Sequence, residues 1–109
     1  MIRSIVLMVT FSVAFAATLA AQDVKKGEGV FAEQKCSLCH SIAGKGNVKG
    51  PLDSVGAKLK ADDIRQWIVD SKGMTEKTKA ERKPVMKAFS LPADEVDALV
   101  AYLVTLKKK

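Results

Sequence analysis

Apolar positions recur along this chain with a helical period, and no stretch alternates as a strand does. The last stretch is the clearest. Val96, Leu99, Val100 and Leu103 fall at i, i+3, i+4 and i+7. Pro92 suits the first turn there. Asp94 and Glu95 complement the N-terminal end of the helix dipole, and Lys107 to Lys109 its C-terminal end. A second helix is expected over 62–71, with Leu59, Ile64, Trp67 and Ile68 on one face and Asp62 and Asp63 near its start. A first helix is expected over 23–35, with Asp23 as N-cap and Val24, Gly27, Val30 and Phe31 as its stripe. A glycine inside a helix costs about 1 kcal/mol relative to Ala, so close approach of another backbone is the reason to expect one at Gly27. Gly44, Gly46, Asn47, Gly50 and Pro51 make 41–52 a loop. Residues 71–90 are polar, lysine-rich and broken by Gly73 and Pro84, with room for a short helix around 75–82. The expected fold is all-α, without internal repeats.

The N-terminus changes the domain picture. A chain of 109 residues is expected to hold one domain. Arg3 gives a short basic start, Ile5 to Leu19 is an uncharged and mostly apolar run, and Thr18, Ala20 and Ala21 are small. This reads as a secretory signal peptide over 1–21, cleaved near Ala20 or Ala21, followed by a domain over 22–109. The run is short for a spanning helix, so no stable membrane insertion is expected after cleavage; an uncleaved anchor is the alternative. The expected compartment is the periplasm. The formal net charge is +6, and losing Arg3 with the leader leaves +5. The basic residues are scattered among acidic ones. Export argues against nucleic acid and leaves a solvated surface or acidic protein partners.

The chemistry is concentrated in Cys36-Ser37-Leu38-Cys39-His40. Two thiols at this spacing with an imidazole directly after them read as covalent haem attachment of the c type. Each thiol adds to one vinyl group, and the next imidazole ligates the iron from the proximal side. A thioredoxin-like pair expects a βαβ surround. A structural zinc site needs four ligands, and the chain has no Cys or His beyond these three. A disulfide between Cys36 and Cys39 would close a small strained loop. The domain is near the size at which an apolar core alone is marginal, and a buried haem would complete that core.

His40 is the only histidine. Bis-histidine ligation within the chain and a histidine general base are therefore both excluded. The second axial ligand is Met, Lys, Tyr or nothing. After loss of the leader, Met74 and Met86 remain. Met86 follows Pro84, which stiffens the loop, and precedes Phe89, which can shield a haem from water. Met86 is the expected ligand and Met74 the fallback.

These residues resemble the small monohaem class I cytochromes c of bacteria over nearly the whole domain. Gly27 and Phe31, with Leu99 and Tyr102, match the packed contact between that family's first and last helices. Cys36, Cys39 and His40 match its haem motif, and Met86-Lys87-Ala88-Phe89 its ligand loop, with Lys87 where a proline commonly follows the Met. The resemblance implies three to five helices wrapped around one covalently bound haem c, and a one-electron carrier. It implies that the Pro51 carbonyl orients His40 through Nδ1–H and that the Trp67 indole reaches a haem propionate, with a plain core role as the alternative for Trp67.

The expected function is therefore a monomeric electron carrier, not an enzyme, that shuttles electrons between periplasmic or membrane redox partners. Lys35, Lys45, Lys49, Lys83 and Lys87 are candidates for docking acidic partners. One alternative is a dedicated cytochrome subunit of a dehydrogenase or terminal oxidase. Another is a haem enzyme or gas sensor with an open iron.

Overall fold

The structure is a computed structural model and describes residues 11–108, with side chains from residue 20 onward. It contains five α-helices: α1 (Phe11–Glu33), α2 (Val55–Lys58), α3 (Ala61–Val69), α4 (Ser71–Thr78) and α5 (Ala93–Leu103). A 3-10 turn, Cys36–Leu38, follows α1. A short antiparallel hairpin pairs β1 (Ser41–Ile42) with β2 (Lys45–Gly46).

Helices α1 and α5 cross where both backbones can approach. A Cβ on Gly27 would overlap the Ala98 carbonyl and lie 2.7 Å from Tyr102 Cβ. The expected close approach at Gly27 is thus present, and α5 is the helix that approaches. One turn on, Phe31 meets Tyr102 edge-on, with ring centroids 6.1 Å apart and planes at 80°. Val30, Ile64, Ile68, Val96, Leu99, Val100 and Leu103 form one buried cluster joining α1, α3 and α5.

Several boundaries differ from expectation. Asp23 is not an N-cap: α1 runs through it from Phe11. Extending an existing helix costs little once it is nucleated, and residues 14–21 hold five alanines. Residues 1–10 of the expected leader lie outside the described residues, and 11–21 form the opening turns of α1 without a break at Ala20 or Ala21. Among the described residues, no helix is long and apolar enough to cross a membrane.

The expected loop at 41–52 contains the hairpin. Ala43 (φ 53) and Gly44 (φ 79) make a two-residue turn with both φ values positive, the turn type that matches strand twist. Helix α4 starts four residues earlier than the expected 75–82 and passes through Gly73. The Asp70 side chain caps it, accepting from the Gly73 N–H at 3.2 Å. Pro92 is the N-cap of α5 rather than a first-turn residue. Lys107 and Lys108 lie beyond the last turn of α5, which ends at Leu103. Instead the tail backbone is strapped to the α2 region. The Gly56 N–H donates to the Leu106 carbonyl (2.8 Å), and the Lys108 N–H to the Asp53 carbonyl (2.9 Å).

Candidate functional site

Helix α1 ends because Lys35 turns into the left-handed region at φ 55. The chain then coils tightly: the Cys36 carbonyl accepts from the Cys39 N–H (3.2 Å) and the His40 N–H (2.9 Å). Cys36, Cys39 and His40 thereby come to the wall of one cleft of about 940 Å³. Both thiols are free. The hairpin backs this turn. The Asn47 N–H donates to the Ser37 carbonyl (3.0 Å) and the His40 carbonyl (3.1 Å), while the Asn47 side-chain amide donates to the Leu38 carbonyl at 3.2 Å. Gly46 takes φ 105, and a Cβ there would overlap the His40 carbonyl.

The rest of the cleft is mainly apolar. Phe31 comes from α1, Ile64, Trp67 and Ile68 from α3, Leu99 and Leu103 from α5, and Leu52, Val55 and Leu59 from the chain around α2. Pro84, Val85, Met86 and Phe89 come from the irregular segment between α4 and α5.

His40 has a defined orientation. Its Nδ1 lies 3.1 Å from the Gly50 carbonyl. A carbonyl only accepts, so Nδ1 carries the proton and Nε2 keeps its lone pair for a metal. The partner is Gly50 and not Pro51, one residue earlier than expected. The local register accounts for this: the Ser41 N–H also donates to the Gly50 carbonyl (3.0 Å) and the Leu52 N–H to the Ser41 carbonyl (2.8 Å). The Gly50 carbonyl is thus turned toward the His40–Ser41 backbone. Pro51 still lines the cleft.

Burial pushes the His40 imidazole below its ordinary pKa, and the Arg82 charge adds to this, against the opposing bond to Gly50. The ring is therefore neutral near pH 7, the form that ligates a metal. Burial pushes the Cys36 thiol up, against its own backbone N–H and the Lys87 charge.

The two methionines separate clearly. Met86 is half-buried and lines the cleft, whereas Met74 is buried in α4 (8% exposed) and does not line it. Trp67 is half-buried at the cleft wall. Of the expected docking lysines, Lys35 and Lys87 line the cleft, while Lys45, Lys49 and Lys83 are exposed outside its lining. Arg82, which no sequence period singles out, also lines it. Among the described residues no group of three or more His, Cys, Asp or Glu side chains is placed to hold a metal ion.

The volume lies at the upper end of the range for ligand pockets. The donor set is two thiols on one turn, an imidazole with a free Nε2, and a thioether in the same cleft. This suits a large planar apolar group carrying a metal, attached through sulfur. An all-α fold around such a cleft defines a c-type haem-binding protein. The chain matches the family model for Cytochrome c over residues 24–107, and it belongs to the cytochrome c family. The match is consistent with the small class I c-type cytochromes. The cofactor of this family is covalent haem c with its iron, its members are haem-binding electron carriers with redox partners, and in bacteria they are typically exported. No curated protein and no solved structure matches the chain.

Proposed function

We propose that this chain is a one-electron carrier with haem attached at Cys36 and Cys39 and iron held by His40 and Met86. The observation that carries the reading is that His40 and Met86 line one cleft while Met74 is buried outside it. When bound, the haem iron supplies a ferric–ferrous couple. The chain's residues do the rest. Gly50, in place of Pro51, holds His40 by its Nδ1–H and raises the basicity of Nε2. The apolar walls exclude water, Phe89 among them, and the Met86 thioether favours the ferrous state. Trp67 is assigned a propionate contact through its indole N–H. With His40 and Met86 both holding the iron, no position would be left for substrate, so the reading is a carrier of electrons rather than an enzyme.

Docking is assigned to the cleft mouth. Leu38 (70% exposed), Val85 (43% exposed), Lys35 and Lys87 are exposed residues of the cleft lining, a mix of apolar and basic groups that suits brief contact with acidic redox partners in the periplasm. The leader is removed near Ala20 or Ala21, and the protein works as a monomer.

The far-red sulfur-to-iron absorption band of the oxidised holoprotein tests the ligand set. Wild type should show it and Met86→Ala should lose it. A band that survives in Met86→Ala returns the assignment to Met74. No band in wild type, with CO binding to the reduced protein, supports an open iron and the enzyme or sensor class.

A further inference from the structure

We infer that Arg82 is a positioning residue that clamps the Met86 segment onto the backbone of the Cys36–His40 turn. The role toward the iron rests on the ligand assignment proposed above. Residues 80–92 form neither helix nor strand. Beyond the C-terminal turn of α4, the Phe89 N–H donating to the Ile68 carbonyl (2.9 Å) holds the segment's far part. Ahead of Met86, Arg82 Nη2 donates to the Cys39 carbonyl at 2.5 Å, across 43 positions of sequence. Among the described residues it is the one side chain of the segment that hydrogen-bonds to the rest of the molecule.

The same guanidinium lies against Gly50. A Cβ there would come within 2.7 Å of Arg82 Cζ and overlap Nη1. Glycine at 50 therefore leaves room for the guanidinium close to the residue whose carbonyl orients His40. One side chain thus spans three things: the Met86 segment, the backbone between the second thiol and the imidazole, and the residue that aims the imidazole. Arginine suits this better than lysine, because its rigid fork fixes direction while an ammonium supplies only charge. Its permanent charge also stands near His40, where a cation favours the less positive, ferrous state of the iron.

The test uses purified holoprotein: wild type, Arg82→Gln, Arg82→Lys and Met86→Ala. Three readouts are taken: the midpoint potential, the temperature at which the far-red band disappears relative to global unfolding, and hydrogen exchange at the Phe89 amide. In Arg82→Gln the potential should fall, the band should vanish well below global unfolding, and Phe89 should exchange about tenfold faster. Arg82→Lys should restore the potential but only part of the band's thermal range. A purely structural surface arginine would not split charge from geometry in this way. Arg82→Gln with wild-type potential, band and exchange overturns the inference. If Met86→Ala keeps the band, the ligand assignment fails separately. Faster Phe89 exchange in Arg82→Gln then still supports the clamp, and unchanged exchange still overturns it.

Discussion

The crossing of α1 over α5 and the irregular segment at 80–92 lie on the same cleft but are held by different physics. At the crossing, Val30 and Leu99 are each 3% exposed, and fully burying one such side chain contributes about 1.5–3 kcal/mol. The packing is redundant, since many apolar contacts share the work. In the segment most residues are exposed, Met86 and Phe89 are half-buried, and the anchoring bonds are the Arg82 and Phe89 contacts. The crossing carries the fold, while the segment carries the proposed second ligand. Single losses should therefore act on stability in the first region and on the iron's surroundings in the second.

The sharpest way to break the comparison is at two glycines of the same helix. Helix propensity says that replacing either with Ala gains about 0.5–1 kcal/mol. At Gly29 nothing lies within 4 Å of an added Cβ, so Gly29→Ala should raise stability by about that amount. At Gly27 the added atom meets the Ala98 backbone carbonyl, which cannot swing aside. Gly27→Val should therefore force the helices apart, at about 3 kcal/mol or more. Thermal unfolding of the two holoproteins checks the contrast. A folded, fully stable Gly27→Val would mean the crossing is not the organising contact.

The methionines provide a smaller and more selective contrast. Met74 is buried in α4 and outside the cleft lining, so Met74→Ala should cost about 2–5 kcal/mol of stability and leave the far-red band in place. Met86→Ala should do the reverse, losing the band with a much smaller change in global unfolding. Urea unfolding read alongside the optical spectrum separates the two. Equal effects of both substitutions on the band would dissolve the division of labour.

What could be read from the sequence follows the same division. The stripe of α5, the Ile64–Ile68 face of α3 and the reason for Gly27 were all legible, because burial writes a period and close packing excludes side chains. Cys36, Cys39 and His40 stood out because haem attachment would demand adjacency in the chain, and the structure brings all three to one cleft. The hairpin was not, since two residues per strand carry no alternation. Nor was the true start of α4. Asp70 ends α3 and caps α4 at once, so the junction looks like continuous polar chain. The exchange of Pro51 for Gly50 as the partner of His40 is one residue of register, set by hydrogen bonds between Ser41, Gly50 and Leu52. Arg82 left no signal at all, because its partner carbonyl is 43 positions away and its own neighbourhood has no period.

The smallest effect lies at the solvent edge of the crossing, where Lys26 Nζ meets Asp94 Oδ2 at 2.5 Å. Both side chains are largely exposed, at 45% and 67%, so solvent screens the pair and its worth is small. The bond and the Lys26 charge hold the Asp94 carboxyl below its ordinary pKa. The bond to Asp94 raises Lys26 above its own, against some desolvation. The signs define a window. A depressed carboxyl contributes stability above its ordinary pKa and loses it as pH falls through the depressed value. A raised ammonium contributes below its ordinary pKa and loses it as pH rises through the raised value. Asp94 also sits in the first turn of α5, so Asp94→Asn alone mixes the ion pair with the helix dipole. A double-mutant cycle of Lys26→Gln and Asp94→Asn removes that mixture. The coupling should be small and favourable near pH 7, vanish at acid and at strongly alkaline pH, and disappear in about 1 M salt, where the screening length is about 3 Å. A coupling that survived both acid and salt would assign the contact to packing. The edge of the crossing would then be held by the same forces as its centre.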